Sequence, residues 1–279
     1  MEAQTKRIEL PMTSWLLSPP ISPRTLFTRG IELRDKRVLI TGASSGVGAQ
    51  LAQDTAAEGA HVIAVARNAD RLAEVRQGIV SKGGSCETYQ CDITDETAVS
   101  KLLATVGTID ILVNNAGRSI RRPVMESVDR LHDFQRTIDL NYLAAVRMSL
   151  GVLPTMARSG DGHIINIATW GVHAGLMPKF AAYHASKAAI AAFGRSLAAE
   201  NTGVHVTTIG FPLIRTPMIA PTEHYKNLAA LTPQQASSWV ITAMKKRPTQ
   251  MHSRYAGIIR LIDSISPHAA NTLILRAGI

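Results

Sequence analysis

Few short segments restrict a fold as strongly as TGASSGVG, which occupies residues 41–48. It follows an apolar run, RVLIT, and opens an amphipathic one. Gly42, Gly46 and Gly48 allow the backbone to turn tightly and to approach a pyrophosphate, whose charge a helix N-terminus stabilises. Between a first strand and a first helix, this spacing predicts a nucleotide-binding βα unit, although an ordinary strand-to-helix turn can use similar residues.

Short apolar runs alternate with longer amphipathic runs along the rest of the chain. Strands are predicted at residues 37–41, 61–66, 86–91, 109–114, 163–168 and 204–209. Helices are predicted at residues 46–58, 70–82, 95–106, 129–156 and 181–201. The strands lack strict polar alternation, so both of their faces should be covered. This pattern predicts an α/β fold: a single doubly wound parallel sheet, or Rossmann fold, with helices on both faces.

The domain organisation follows from length and from proline. A chain of 279 residues that is 46% hydrophobic fits one large domain, which we place at residues 31–250. Residues 1–30 are predicted to be an extended arm, because prolines interrupt the apolar segment ELPMTSWLLSPPISP. No apolar run reaches the roughly 18 residues that a membrane-spanning helix needs.

Residues 251–279 form a C-terminal apolar extension. Ile258, Leu261 and Ile265 predict an amphipathic helix, and a second apolar segment follows Pro267. This extension could pack on its own domain or on a partner subunit. Alternatively, it could form a wall for a long acyl chain or touch a membrane surface, an interpretation with which the arginines of the extension are compatible.

The chain carries a formal net charge of +9, from 30 basic and 21 acidic residues. This charge indicates either a solvated basic surface or attraction to polyanions such as phosphorylated cofactors, coenzyme A or an anionic bilayer. Nucleic acid is not an expected partner, because aromatic residues make up only 5% and no basic run is interleaved with them. The two cysteines, Cys86 and Cys91, favour a reducing cytoplasm, and no metal site is expected.

The end of the second strand bears on the choice of cofactor. NAD-binding folds usually carry a carboxylate there for the ribose 2′-hydroxyl. Here the sequence is AVARNADR, with Ala66 followed by Arg67. A guanidinium at this point suits a 2′-phosphate and favours NADPH over NADH, unless Arg67 is only a solvated loop residue.

A candidate acid lies further along, in NIATWGVHAGLMPKFAAYHASKA, residues 166–188. Tyr183 and Lys187 are four residues apart and should share one helix face. A free phenol has a pKa of about 10, and a nearby ammonium should lower it toward the range useful for proton transfer. Thr169 is the nearest hydroxyl that could hold a carbonyl oxygen.

TGASSGVG, CDITD, NNAG, DLNYLAAV and YHASK occur in this order, and together they resemble the short-chain dehydrogenase/reductase superfamily over about residues 35–250. The resemblance implies a single dinucleotide-binding domain, hydride transfer to or from a carbonyl, and homodimers or homotetramers. It implies Tyr183 as proton donor, Lys187 as the residue that activates it and binds the nicotinamide ribose, and Asn141 as anchor of a proton path. Thr169 stands where the superfamily has its carbonyl-binding serine, in a loop one residue longer than usual.

The same resemblance implies the cofactor contacts. Leu213 replaces a glycine that is common in the superfamily at the nicotinamide end. Besides Tyr183 and Lys187, NADPH or NADP+ is expected to contact Thr41, Gly42, Ser44, Ser45, Gly46, Val47, Gly48, Arg67, Asp92, Ile93, Asn114, Ala116, Gly117, Pro212, Ile214 and Thr216.

Two longer stretches, residues 114–142 and 212–233, are similar to the bacterial fatty acyl-CoA reductases of this superfamily. The resemblance implies reduction of a long-chain acyl-CoA to fatty aldehyde, or reduction of the derived aldehyde. A reductase of ketones or 3-oxoacyl substrates would need the same Tyr183 and Lys187. A third hypothesis is an NADP-binding protein with little turnover, because the usual serine is missing.

Three arginines follow NNAG directly: Arg118, Arg121 and Arg122. They are predicted to capture coenzyme A phosphates at the mouth of the site, or else to form a solvated loop or a subunit contact. A cytoplasmic homo-oligomer, with a possible peripheral contact to the inner membrane surface, is the expected state of the protein.

Overall fold

The computed structural model describes residues 15–20, 30–200, 202–219, 222, 225 and 228–276. Most of the predicted N-terminal arm lies outside these residues, as does the last residue of the helix predicted at 181–201. Of the arm, residues 15–17 form a short helical turn. The main chain continues from residue 30 directly toward the first strand, where Ile31 donates to the Lys245 carbonyl at 3.0 Å.

Seven parallel strands form one sheet in the order β3-β2-β1-β4-β5-β6-β7. Their bounds are β1 Arg37–Thr41, β2 His61–Ala66, β3 Ser85–Gln90, β4 Ile111–Asn114, β5 His163–Thr169, β6 His205–Phe211 and β7 Gln250–His252. The central strands are buried almost throughout, as the lack of polar alternation predicts. The doubly wound parallel sheet is therefore confirmed.

Helices cover both faces of this sheet. They are α1 Gly46–Ala57, α2 Ala69–Val80, α3 Glu96–Val106, α4 Leu131–Ile138, α5 Ala144–Ser159, α6 Gly171–Ala174, α7 Ala181–Ala199, α8 Pro233–Lys246, α9 Arg254–Ile265 and α10 Pro267–Arg276. Two separate apolar cores result. One includes Val38, Leu51 and Trp239 on one face, and the other includes Leu39, Val99 and Met148 on the opposite face.

The strand order reverses between β1 and β4, where the crossover connections leave in opposite directions. In a parallel sheet such a reversal opens a crevice at the carboxyl ends of the strands. The glycine turn lies at the end of β1, and NNAG lies at the end of β4. Two of the sequence motifs are thereby brought to one crevice.

The structure differs from the predicted pattern in two places. β7 has only three residues, Gln250–His252, and is too short and too polar to be recognised in the sequence. The single helix predicted at 129–156 is divided by a π-helical turn at Asp139–Leu143. This turn carries Asn141, and π-turns frequently mark functional positions.

The C-terminal segment forms α9 and α10, which meet at Pro267. Ala256, Ile259 and Ile274 are buried against Trp170 and Ala174, so one side of this pair packs on its own domain. The other side is exposed and apolar. Among the helices of the described residues, none combines the length and the apolar character needed to cross a bilayer.

Candidate active site

A cleft of about 900 Å³ opens along the carboxyl ends of the strands. Its floor is formed by the glycine turn and by the ends of β2, β4, β5 and β6. Tyr183 and Lys187 lie on its wall, together with Thr169. Residues that lie far apart in the sequence thus line the same cleft.

The glycine turn has the shape that a diphosphate requires. Gly42 and Gly46 have positive φ angles of 68° and 54°. A Cβ on Gly48 would lie 2.2 Å from the Gly42 carbonyl oxygen, so only glycine fits there. Ser45 precedes α1 without a capping side-chain hydrogen bond, and the first turn of α1 has no acidic residue. The helix N-terminus is therefore suited to an anion, and the turn fits a dinucleotide.

Thr41 and Asn114 lie behind the wall of the cleft rather than in it. The Thr41 hydroxyl accepts the backbone N–H groups of Asn115 and Ala116, each at 3.0 Å. Asn114 is buried, and its amide donates to Ser149 and Asn166. In the structure their side chains join β1 to β4 and β4 to β5, and the predicted contact of these residues with the cofactor stays a prediction. Their effect on a ligand is to hold the wall in place.

The part of the cleft at the end of β2 is basic. Arg67 projects from the end of β2 with 75% of its side chain exposed, and its Nη1 lies 3.9 Å from Asp92 Oδ2. Arg71, from the first turn of α2, lines the same cleft. Its backbone N–H donates to Asn68 Oδ1 at 2.9 Å, which caps α2. Sequence reasoning missed Arg71, although its position four residues after Arg67 was a usable signal.

Arg118 adds a third cation to this end. Burial lowers its pKa, and the nearby positive charges of Arg136 and Arg67 lower it further. Arg118 also lines the cleft. The predicted cluster of three arginines after NNAG is therefore divided in the structure, and its first member faces the same region as Arg67.

The other two arginines point elsewhere. Arg121 lines the cleft and hydrogen bonds to the phenol of Tyr225. Arg122 pairs with Asp133, with Nε 3.4 Å from Oδ2, and its backbone N–H donates to the Lys179 carbonyl at 2.6 Å. Arg118 and Arg121 thus both line the cleft, whereas Arg122 is held by Asp133, and capture of coenzyme A phosphates by these arginines stays a prediction.

Tyr183 and Lys187 share one face of α7, one turn apart, as predicted. Lys187 is buried, and its Nζ donates to the Ile167 carbonyl at 2.7 Å. Burial lowers the pKa of Lys187 to about 8. A Cβ on Gly117 would lie 3.3 Å from the Lys187 ammonium, so a glycine at this point leaves the ammonium accessible from NNAG.

Burial raises the pKa of Tyr183 to about 12. This direction differs from the expectation that the neighbouring ammonium would lower it, because removal of the phenol from water has the larger effect. A hydrogen bond from Thr169 acts in the opposite sense and lowers the pKa of Tyr183. The phenol is therefore protonated over the physiological pH range.

Thr169 is the last residue of β5 and is buried. The next residue, Trp170, donates its backbone N–H to the Phe211 carbonyl at 2.9 Å, which fixes the end of β5 against β6. Thr169 lines the cleft together with Tyr183, and its hydroxyl lowers the pKa of the phenol. The structure thus places a hydroxyl beside the phenol.

Asn141 is completely buried in the π-helical turn and makes three hydrogen bonds. Its Oδ1 accepts from the Arg118 N–H at 2.8 Å, and its Nδ2 donates to the Arg118 carbonyl at 2.9 Å. Nδ2 also donates to the Ser186 hydroxyl at 2.9 Å, and Ser186 donates to the Tyr183 carbonyl. Ser186 was not predicted, although it precedes Lys187 directly. Asn141 thereby connects NNAG to the catalytic helix.

The segment after β6 forms another part of the cleft wall. Pro212, Ile214 and Thr216 line the cleft, as do Ser44, Ser45, Val47, Ile93 and Ala116. A Cβ on Gly46 would lie 3.3 Å from Thr216, which brings this segment against the glycine turn. Leu213 is not among the residues with a positive φ, and its carbonyl accepts from the Leu231 N–H at 2.8 Å. The backbone at this point therefore does not require glycine.

The far part of the cleft is largely apolar, and this feature was not predicted residue by residue. It is lined by Leu17, Met177, Phe180, Phe211, Met218, Leu228 and Tyr255. These side chains come from four segments far apart in the sequence, so no local pattern predicts them.

Cys86 and Cys91 are free and buried, and burial raises the pKa of both thiols. No thiolate nucleophile is therefore presented.

Two further observations concern ions. Within the described residues, no group of three or more His, Cys, Asp or Glu side chains is arranged to hold a metal ion. The ionisable groups that line the cleft are four guanidiniums, one ammonium, three phenols, the Cys91 thiol and the Asp92 carboxylate, so cations outnumber anions. Such a set suits a polyanionic cofactor and proton transfer to an oxygen.

Comparison with known proteins agrees with this geometry. The family model of the short chain dehydrogenases matches residues 36–227. A fatty acyl-CoA reductase of Mycobacterium tuberculosis is 46% identical over 270 residues, which cover 93% of this chain and 92% of that protein. A fatty acyl-CoA reductase of Acinetobacter baylyi is 45% identical over 248 residues, with 87% and 84% coverage.

Solved structures show the same architecture. A short chain dehydrogenase/reductase family protein superposes with a TM-score of 0.71 at 30% identity and covers 78% of this chain and 92% of its own. A serine dehydrogenase complexed with NADP+ gives a TM-score of 0.68 at 31% identity, covering 74% and 87%. A polyketide ketoreductase with NADPH gives 0.69 at 27% identity, covering 75% and 90%.

Proposed function

This chain belongs to the short-chain dehydrogenases, and on that basis we propose that it is an NADPH-dependent reductase of long-chain fatty acyl-CoA, or of the derived aldehyde. That it is an oxidoreductase of this family, similar to fatty acyl-CoA reductases, follows from the relatives. One observation carries the finer proposal. The Thr169–Tyr183 hydroxyl pair lies in a cleft whose basic end suits NADPH and whose other end is apolar.

The cofactor is proposed to lie along the floor of the cleft. The glycine turn would hold its diphosphate, Asp92 and Ile93 its adenine, and Lys187 its nicotinamide ribose. Arg67, with Arg71 and Arg118 beside it, would bind the 2′-phosphate, which NADH lacks. When bound, the nicotinamide supplies a hydride to the substrate carbonyl carbon.

The proton comes from this chain. The thioester oxygen is proposed to accept hydrogen bonds from Thr169 and from Tyr183, which polarise the carbonyl. As the carbonyl carbon gains hydride, the Tyr183 phenol transfers its proton to the oxygen and gives a hemithioacetal. Breakage of the C–S bond, with transfer of the hydroxyl proton to sulfur, then gives aldehyde and free coenzyme A.

The protonation states favour the reductive direction. A pKa of about 12 keeps Tyr183 in its acid form at physiological pH, so the proton is available when the substrate binds. Lys187, with a pKa of about 8, stays mostly protonated near neutrality and stabilises the phenolate that forms. Asn141 and Ser186 are proposed to connect this pair to the proton path by which Tyr183 is reprotonated.

The substrate class is supported by the cleft and by the relatives. Phe180, Met218 and Tyr255 offer an apolar surface to a long alkyl chain. Arg121, hydrogen bonded to Tyr225, is placed to meet the anionic coenzyme A portion. Two relatives that share more than 80% of their length with this chain are named fatty acyl-CoA reductases.

A reductase of ketones or 3-oxoacyl substrates is the second candidate. It is favoured by the similarity to a polyketide ketoreductase structure with NADPH and by the fact that Tyr183 and Thr169 are not specific to thioesters. A cofactor-binding protein with little turnover is a third. This third candidate has the least support, because the Thr169 hydroxyl lies near the Tyr183 phenol, where it can donate a hydrogen bond to a substrate carbonyl.

The test is incubation of purified protein with NADPH and palmitoyl-CoA, followed by assays of free thiol and aldehyde. The proposal expects both products, with NADPH consumed in proportion. Oxidation of NADPH by ketones or 3-oxoacyl compounds without thiol release from palmitoyl-CoA would replace it by the second candidate. Tight NADPH binding without turnover on any carbonyl compound would replace it by the third.

The cellular setting is proposed on more general grounds. Two free, buried thiols suit a reducing cytoplasm. Leu143, the last residue of the π-helical turn, and Leu150, on α5, are both exposed. These two side chains are proposed to contact a second copy of the chain in a homodimer or homotetramer. Light scattering of the purified protein gives the number of copies directly.

A further inference from the structure

Three segments that contribute residues to the cleft also carry exposed apolar side chains. Residues 121–131 carry Met125, Val128 and Leu131, of which Met125 is 83% exposed. The turn at residues 216–219 carries exposed Met218, and α9 carries a longer stripe. Each segment also contributes a cleft-lining residue: Arg121, Met218 and Tyr255 respectively. We call these three segments the rim.

The stripe on α9 consists of Ile258, Leu261 and Ile265, which are 46%, 64% and 78% exposed. Their spacing of three and four residues places them on one helical face. The opposite face is already filled, since Ala256 and Ile259 pack on the domain. The exposed stripe is therefore not needed for folding, and solvent-exposed apolar stripes of this kind mark interaction sites.

Residues 175–180 lie between two rim segments, with one main-chain hydrogen bond to the first and one close approach to a side chain of the second. The Arg122 N–H donates to the Lys179 carbonyl at 2.6 Å. At the other end of this loop, a Cβ on Gly175 would lie 3.4 Å from Asp263 in α9. Met177 and Phe180 of the same loop line the cleft. The apolar side chains thus border one opening rather than unrelated parts of the surface.

The rim is also basic. Asp133, whose side chain is only 2% exposed, receives ion pairs from Arg122, Arg130 and Arg136. Residues 121–136 carry four arginines against the three carboxylates of Glu126, Asp129 and Asp133, which leaves one net positive charge beside Leu131. Around α9, Arg260 is exposed, and Arg254 lies 4.8 Å from the ring centroid of the half-exposed Trp15. Tryptophan and arginine together are typical of membrane–water interfaces.

We infer that the rim is a membrane-docking surface that seats the open cleft on an anionic lipid bilayer. Exposed apolar side chains between guanidiniums are what an interfacial contact with anionic lipid requires, because apolar burial and phosphate attraction add. A second copy of this chain fits less well. A twofold contact through the rim would place the same arginines against each other, and like charges across an interface are costly.

This contact has a consequence for access to the cleft. Leu17, Met218 and Tyr255 line the cleft at the rim, so an apolar molecule could pass between bilayer and cleft without crossing water. Membrane docking is distinct from the proposed reaction, and vesicle binding measures it without any substrate.

The experiment is flotation of the full-length protein with vesicles of phosphatidylcholine containing 30% phosphatidylglycerol, compared with phosphatidylcholine alone. We expect binding to the anionic vesicles only, weakened by 0.5 M salt, because the guanidiniums are screened. The variants Met125→Ser/Leu131→Ser and Leu261→Ser/Ile265→Ser should each reduce the partition coefficient roughly tenfold or more.

A matched control removes an exposed apolar side chain elsewhere. Val80→Ser changes an exposed residue of α2 that lies outside the rim, and this variant should bind vesicles like the wild type. NADPH affinity should be unchanged in all three variants, which shows that they are folded. Failure of the wild type to bind anionic vesicles, or equal binding by rim and control variants, overturns the inference. The inference is also overturned if the wild type is a dimer that does not bind vesicles and the Leu261→Ser/Ile265→Ser variant is a monomer. That result would assign the rim to a subunit contact.

Discussion

The two ends of the cleft are constructed in different ways. The phosphate end is formed by one continuous stretch, Gly42 to Gly48, with Arg67 and Arg71 from the next βα unit. The carbonyl end combines Thr169 from β5, Tyr183 from α7 and apolar side chains from segments far apart. The difference shows that diphosphate binding can be encoded by local backbone conformation, whereas carbonyl binding depends on how distant elements pack. Mutations at one end of the cleft should therefore change the affinity for the cofactor, and mutations at the other end should change kcat.

The largest expected effect is at the carbonyl end. Tyr183→Phe removes the proton donor and should lower kcat for acyl-CoA reduction by about 1,000-fold, in the range of lost general acids. The affinity for NADPH, measured by its fluorescence, should change little, because the phenol hydroxyl does not carry the phosphate contacts. A loss of less than about tenfold in kcat would mean that the proton has another source.

At the phosphate end, Gly48→Ala should weaken NADPH binding by about 100-fold or more, because the turn must shift. The added Cβ would lie 2.2 Å from the Gly42 carbonyl oxygen and 2.6 Å from Asn115 Nδ2. Titration calorimetry measures the dissociation constant.

Gly78→Ala is the matched control for this change. Gly78 lies in α2, and a Cβ there meets nothing within 4 Å. It should leave NADPH affinity intact and stabilise the protein by about 0.5–1 kcal/mol, because alanine is the better helix former. Normal NADPH binding by Gly48→Ala would show that the turn does not hold the diphosphate.

A smaller and more selective effect is expected at Arg67. Arg67→Ala should weaken NADPH binding by roughly 10- to 100-fold and leave NADH binding unchanged, because a charge-assisted hydrogen bond to the 2′-phosphate is lost. Arg158→Ala, an exposed arginine on α5, should affect neither cofactor. If affinity for both cofactors falls equally, Arg67 acts on the shape of the cleft and not on the 2′-phosphate.

The smallest effect in the series is at Thr169. Thr169→Val keeps the shape and removes the hydroxyl, so kcat should fall about tenfold, as for the loss of one hydrogen bond in a buried site. Thr169→Ser should retain most of the activity. If valine and serine variants turn over at the same rate, then Tyr183 polarises the carbonyl alone.

Much of this molecule could be predicted from neighbouring residues. The glycine turn, the first strand and helix, and the Tyr183–Lys187 pair depend on φ angles and on i to i+4 spacing, which the local sequence specifies. The parallel sheet followed from the alternation of apolar and amphipathic runs. β7 was not predicted from the sequence, because it is short and polar. Its three residues form a strand only by pairing with the edge of β6.

The sequence by itself therefore determined the fold class, the phosphate turn and the acid–cation pair. Only the tertiary structure decided that the Thr169 hydroxyl faces Tyr183, that Thr41 and Asn114 stand behind the cleft wall, and that the arginines after NNAG separate. The physical reason is the distance along the chain over which the deciding interactions act. Backbone turns and helix faces are set by interactions over a few residues, but side-chain direction and desolvation are set by partners distant in the chain.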